Sequence, residues 1–393
     1  MEGKREEEGR FVKGREDISP FLAMEILERA HEKERRGERV IHLEIGEPDF
    51  DTPEVVKEAA VKALREGKTG YTHSLGILPL REAICRHYGE KYGVEVSPDQ
   101  VVVTSGSSPG LLLALASFVS PGDEVILTNP CYACYPNFVK FVGGIPRYVN
   151  VYDRDNFDMD MASVKKILGR RTRAILVNSP GNPTGTVLPP ETLRELASLG
   201  VPIISDEIYH GLVYEGEERT ILSYTEDAIV LNGFSKAYAM TGWRLGYLIA
   251  PKRLVRTIQS LQQNLFISAN EFVQYGGVAA LEEAGDFVET MRRELDGRRK
   301  LLLELCRKVG FEVRSEPKGA FYVMADARRF TGDSFSFAVE LLDEAGVGVT
   351  PGVDFGTNAE GYIRFSYASS RENIEEAFHR IGTFLREKYS HAF

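Results

Sequence analysis

The chain has 393 residues, 43% of them hydrophobic and 27% charged, with a formal net charge of −10. That is an ordinary globular balance, and at about 150 residues per domain the length suggests two domains or three. The acidic balance argues against nucleic acid and anionic membrane surfaces as main partners, yet a local cluster of donors can still hold a phosphorylated ligand. Residues 1–17 read as a mobile arm, with acidic and basic side chains alternating and almost nothing apolar. The arm has no apolar h-region, so no signal peptide is expected. No apolar stretch reaches the length of about 18 residues that spans a bilayer. The four cysteines, Cys85, Cys131, Cys134 and Cys306, do not suggest a disulfide framework in a chain this long, and a cytoplasmic protein is expected. Cys131 and Cys134 form a CxxC. A zinc site needs a second ligand pair at similar spacing, so the motif reads as two small residues beside Tyr132.

From Ile18 to Arg36 the apolar spacing of Phe21, Ile26, Leu27 and Ala30 predicts a helix. Val40 to Ile45 reads as a short strand ending at Gly46-Glu47-Pro48-Asp49-Phe50. The next helix has Thr52 as a candidate cap, Pro53 in the first turn and Gly67 at its end. Strands and helices then alternate. The runs Val101–Val103, Val125–Leu127, Ala174–Val177, Ile203–Ile204, Ile229–Leu231 and Gly246–Ile249 suit strands buried on both faces of a mainly parallel sheet. Such alternation predicts an α/β layered domain over residues 51–285. From about Asp286 come a long charged helix to Arg307, strands at Phe321–Val323 and Tyr362–Phe365, and a final helix from Arg371. Residues 286–393, joined by residues 18–50, are expected to form a smaller α+β domain.

Ligands of open α/β sheets bind beyond the carboxyl ends of the strands. After Val103 comes Thr104-Ser105-Gly106-Ser107-Ser108-Pro109-Gly110 and a helix start, a donor-rich site for an anion that equally suits a structural turn. After Val177 comes a turn that puts the Asn182 amide at the same edge. After Ile204 come Asp206 and Glu207, two acids that are costly there without a task or a partner, although either could cap the next helix. After Leu231 comes Lys236, flanked by small or apolar residues that can desolvate its ammonium and lower its pKa, with Arg244 nearby. A lysine so placed can form a Schiff base.

The segment Gly233 to Gly246 resembles the pyridoxal-5'-phosphate (PLP) attachment signature of class I/II aminotransferases of fold type I. The resemblance runs from Ile18 to the end of the chain and includes Gly46-Glu47-Pro48-Asp49-Phe50, Tyr71 to Arg81, Asn182-Pro183-Thr184-Gly185, Asp206-Glu207-Ile208-Tyr209 and Arg364-Phe365-Ser366. It points to the branch of prokaryotic aspartate and aromatic aminotransferases. It implies Lys236 as the PLP-bonded lysine and proton carrier, Asp206 facing the pyridine nitrogen, and Tyr209 and Asn182 donating to the ring oxygen. It implies a phosphate site of Ser105, Gly106, Ser107, Ser108, Ser235 and Arg244, with Tyr132 stacked on the ring. Tyr71 would reach the phosphate of a neighbouring subunit, making a homodimer with shared sites. Arg364 and the Gly46 N–H would bind the substrate α-carboxylate, and His73 and Ser74 would border the side chain. Some aspartate-preferring members carry a lysine at the position of Ser108, so the resemblance supplies no cation for a side-chain carboxylate at that position here.

The activity implied is transfer of an amino group from an L-amino acid to a 2-oxo acid. Glutamate and 2-oxoglutarate form the expected pair, with aspartate or an aromatic amino acid as the other donor. No metal is expected. Three alternatives are a β-eliminating lyase on the same fold, a non-catalytic PLP-binding regulator, and an α/β protein without PLP. The regulator would carry a DNA-binding module ahead of this fold, for which the arm is too short and not net basic.

Overall fold

The six β-branched runs assemble into one seven-stranded sheet in a computed structural model that describes residues 18–390. The expected arm at residues 1–17 lies outside the described residues. The strands are β2 (Val101–Thr104), β3 (Glu124–Asn129), β4 (Ile145–Asn150), β5 (Thr172–Asn178), β6 (Ile203–Asp206), β7 (Ala228–Gly233) and β8 (Gly246–Ile249), in the order β2-β8-β7-β6-β5-β3-β4. Only β8 runs antiparallel to its neighbours. Alternate residues feed two separate cores. Ile175, Val177 and Ile203 pack on one face, and Ala174, Leu176 and Ile204 on the other. This two-sided burial is why these strands read as continuous apolar runs.

A third core gathers the remaining elements. It joins α1 (Leu22–Arg35) to the helices Gly285–Val309, Ser334–Ala345 and Arg371–Lys388, and to an antiparallel three-stranded sheet. That sheet is built from β9 (Tyr322–Asp326), β11 (Thr350–Pro351) and β12 (Tyr362–Ser366), with β12 in the centre. The strand expected over residues 40–45 is only β1 (Ile41–His42), paired in parallel with β10 (Val347–Gly348).

One local expectation needs correction, and one strand was not anticipated. Thr52 does not cap the helix Glu54–Arg65. Its hydroxyl donates to the Ala239 carbonyl at 2.7 Å, and Pro53 stands at the cap position without a side-chain bond. Strand β4 gave no sequence signal because it is the sheet's edge and mostly exposed, so it lacks a buried apolar run. The fold nevertheless sets one useful register. Asn178 and Asp206 are paired neighbours at the ends of β5 and β6, and Asp206 pairs with Leu231 two residues before β7 ends, so the side chains that follow them converge on one edge.

Candidate active site

Asp206 closes β6 and is 8% exposed. Its carboxylate accepts from Tyr135 Oη at 2.7 Å and from the Ile208 N–H at 3.2 Å. Burial pushes its pKa up to about 6, against the pull of those two bonds and of Lys236. It is a carboxylate short of a cation.

Lys236 follows the end of β7. Its ammonium donates to the Gly46 carbonyl at 2.5 Å. Burial pulls its pKa down to about 8; Arg364 and Arg244 add to the fall, while Glu47 and Asp206 oppose it. The ammonium lies 5.9 Å from the ring centre of Tyr209 and 5.8 Å from that of Phe321. The flanking Phe234, Ser235 and Ala237 are themselves buried, which is the desolvation that the small and apolar neighbours suggest.

Arg364, in the central strand β12, is 2% exposed. It donates to Asn182 Oδ1 at 2.9 Å, to Thr350 Oγ1 at 3.0 Å and to the Glu44 carbonyl. Its Nε has no partner among the described residues. The guanidinium lies between the rings of Tyr322 and Phe355, at 4.3 and 4.9 Å.

The anion cradle forms where β2 meets the helix Ser107–Phe118, called α4 below. Gly106 takes φ +98°, and a Cβ there would lie 2.5 Å from Arg244 Nη2. Arg244 is held by donation to the Thr241 carbonyl at 2.9 Å. A guanidinium thus faces the free N–H groups of a helix start, which suits a phosphate.

One cavity of about 270 Å³ brings together Gly46, Ser107, Ser108, Tyr132, Asn182, Asp206, Tyr209, Ser235, Lys236, Arg244 and Arg364. Gly106 abuts it through Arg244. Ser105 and Tyr71 do not line it, and Tyr71 is 84% exposed. His73 and Ser74 also stay outside. Ser74 Oγ accepts from Gln259 and Gln263, and His73 Nδ1 accepts from the Leu75 N–H. The sequence reading missed Tyr135, Tyr322, Asn178 and the α1 side, where Phe21, Met24 and Leu27 wall the cavity. Asn178 stands directly after the Ala174–Val177 run and could have been found there, whereas Tyr135, Tyr322 and the α1 side carry no such local mark.

The residues fit PLP on two observations and an amino-acid substrate on a third. Asp206 accepts only neutral donors, so a pyridinium N–H would supply the cation it lacks. Gly106 leaves the cradle open where any side chain would fill it. The unpartnered Arg364 Nε still needs an acceptor, and a carboxylate is one.

A model of the family described as aminotransferase class I and II matches residues 38–381. The chain is 45% identical to a (5-formylfuran-3-yl)methyl phosphate transaminase of Methanocaldococcus jannaschii over 376 residues, covering 94% of this chain and 98% of that protein. It is 40% identical to an aspartate/prephenate aminotransferase of Thermus thermophilus, covering 94% and 97%. The solved structure of an aspartate aminotransferase from Thermus thermophilus with maleate matches with a TM-score of 0.90 at 40% identity, over 93% of this chain and 97% of that one.

Proposed function

We infer that in this chain, which belongs to the class I and II aminotransferases and moves amino groups with PLP, Lys236 carries the cofactor and Arg364 holds the substrate α-carboxylate. Its α/β architecture is that of fold type I. The observation that carries the residue reading is the convergence of Asp206, Lys236 and Arg364, from three segments, on one cavity. Bound there, PLP supplies the electron sink for the bond broken at the substrate α-carbon.

Lys236, with its pKa drawn down to about 8, is suited to take the α-proton and return it. Asp206 keeps the cofactor's ring nitrogen protonated. Asn182 gives its Oδ1 to Arg364, so its Nδ2 is left to donate to the cofactor's ring oxygen beside Tyr209. The cradle of Gly106, Ser107, Ser108, Ser235 and Arg244 takes the phosphate, with Ser105 behind it outside the cavity lining, and Tyr132 stacks on the ring. Gly46 offers its N–H to the substrate carboxylate. Exposed Tyr71 reaches the phosphate of a neighbouring subunit, so the working unit is a homodimer. Residues 18–50 and 286–393 form a smaller domain and residues 51–285 the larger one. No described helix is long and apolar enough to cross a membrane.

For substrates, glutamate with 2-oxoglutarate is one pair. The cations lining the cavity are Lys236, Arg244 and Arg364, and each already has a task. Phe21, Met24 and Leu27 add an apolar wall near Tyr132, and Ser108 brings a hydroxyl where a cation would favour a second carboxylate. As the partner of that pair an aromatic donor is therefore favoured over aspartate, one of the two substrates named for the Thermus thermophilus relative, and the side-chain carboxylate of glutamate would need a donor other than these three cations. The test is to mix holoenzyme with one amino acid at a time, without a 2-oxo acid, and follow the cofactor's visible band. Phenylalanine or tyrosine should convert it to the amine form faster than aspartate. A colourless protein, or a band that survives Lys236→Ala with turnover intact, overturns the assignment of Lys236.

A further inference from the structure

Tyr322 begins β9, far in sequence from every motif above, and its side chain is 1% exposed. Its hydroxyl lies 2.8 Å from Tyr209 Oη. No other hydrogen-bond partner for it is seen among the described residues. Its ring lies 4.3 Å from the Arg364 guanidinium carbon. Its hydroxyl also fills the space where a Cβ on residue 46 would go, so Gly46 can hold its carbonyl against Lys236 only because it has no side chain. One buried tyrosine thus touches the residues assigned to the cofactor oxygen, the substrate carboxylate and the lysine.

We propose that Tyr322 is a positioning residue that sets the direction of the Tyr209 hydrogen bond and seats Arg364 for the α-carboxylate. This rests on the site assignment above. Each hydroxyl has one proton. When Tyr209 gives its own to the cofactor's ring oxygen, its remaining capacity toward Tyr322 is as an acceptor. Tyr322 then donates, and a donor that itself accepts a hydrogen bond is the stronger donor. The Tyr322 ring, meanwhile, offers its face to the cation of Arg364.

The test uses holoenzyme and reads the pH midpoint of the bound cofactor's visible band. A weaker donor to the ring oxygen leaves the lysine-bound nitrogen more basic, so the midpoint rises. Tyr322→Phe should raise it by about half a pH unit, a fraction of one charge-assisted hydrogen bond, with KM for the amino donor nearly unchanged. Tyr322→Leu should give the same rise and in addition lift KM about 5-fold, because the ring under Arg364 is gone. Tyr209→Phe should raise the midpoint further, and adding Tyr322→Phe to it should change nothing more. An unmoved midpoint in Tyr322→Phe, an extra rise in the double variant, or loss of cofactor or fold in Tyr322→Phe would overturn the proposal. Absence of a visible band in the unmodified holoenzyme would instead sink the assignment of Lys236, so the two failures are distinct.

Discussion

Asp206 and Glu207 are adjacent, both acidic and both buried, yet their surroundings give them unrelated work. Asp206 faces the cavity. Glu207 is 1% exposed, and its Oε1 accepts from Ser205 Oγ, Thr220 Oγ1 and the Ile221 N–H, so it braces the loop before β7. Burial outweighs these bonds and pushes the Glu207 pKa from 4.5 up to about 8. Between those values the unfolded chain ionises while the folded carboxyl stays protonated. This group therefore lowers stability as pH rises from about 4.5 to 8, by at most about 1.4 kcal/mol per pH unit, and adds no slope above that. Glu207→Gln keeps an acceptor oxygen and should flatten the slope, seen as melting temperatures of variant and wild type that diverge between pH 5 and 8. Parallel melting curves would show that Glu207 is ionised throughout. For Asp206→Ala, kcat should fall by about 100- to 1,000-fold as the paired charge at the ring nitrogen is lost. Arg364→Ala should raise KM for amino donors about 100-fold, the scale of a lost charge-assisted pair, with the cofactor retained. Equal loss of cofactor would mean that Arg364 serves PLP and not the substrate.

Elements explain which of these residues were legible beforehand. Strand ends were readable because burial on both faces writes an unbroken apolar run, and the polar residue after the run then stands out. Asp206, Asn182 and Lys236 were found in this way. Arg364 was named through the family resemblance, and its flanking Ile363 and Phe365 argued only against a surface arginine. Tyr135 and Tyr322 carry no such mark. An aromatic residue at a helix start or in a core strand looks like packing, and only the fold brings Tyr135 Oη to Asp206 or Tyr322 Oη to Tyr209. The α1 wall was missed for a related reason. Its helical spacing was clear, but periodicity does not say that residues such as Met24 face a cavity in another part of the chain. The cradle offers a sharp test at this scale. At Gly106 a side chain meets both a φ of +98° and the Arg244 guanidinium. Gly106→Ala should weaken PLP binding about 10-fold or more, measured by dissociation of the cofactor during dialysis against phosphate. Unchanged affinity would place the phosphate elsewhere than at the start of α4.

At the scale of the molecule, the proposed role of exposed Tyr71 would make a single chain an incomplete enzyme. Tyr71 is 84% exposed, the most exposed of the large apolar side chains, which include Leu78, Leu265 and Ile267. If it completes the phosphate site of a neighbour, two damaged chains can repair each other. Chains carrying Tyr71→Ala keep Lys236, and chains carrying Lys236→Ala keep Tyr71. In a mixed dimer one site would have both residues and the other neither. Random reassociation of equal amounts makes half the dimers mixed, so the mixture should approach about a quarter of wild-type activity when each variant alone is nearly inactive. The measurement is turnover after mild denaturation and refolding of the mixed chains, against each variant treated alone. Activity in the mixture equal to the mean of the separate variants would mean that each site is built from one chain, and that Tyr71 has some other partner.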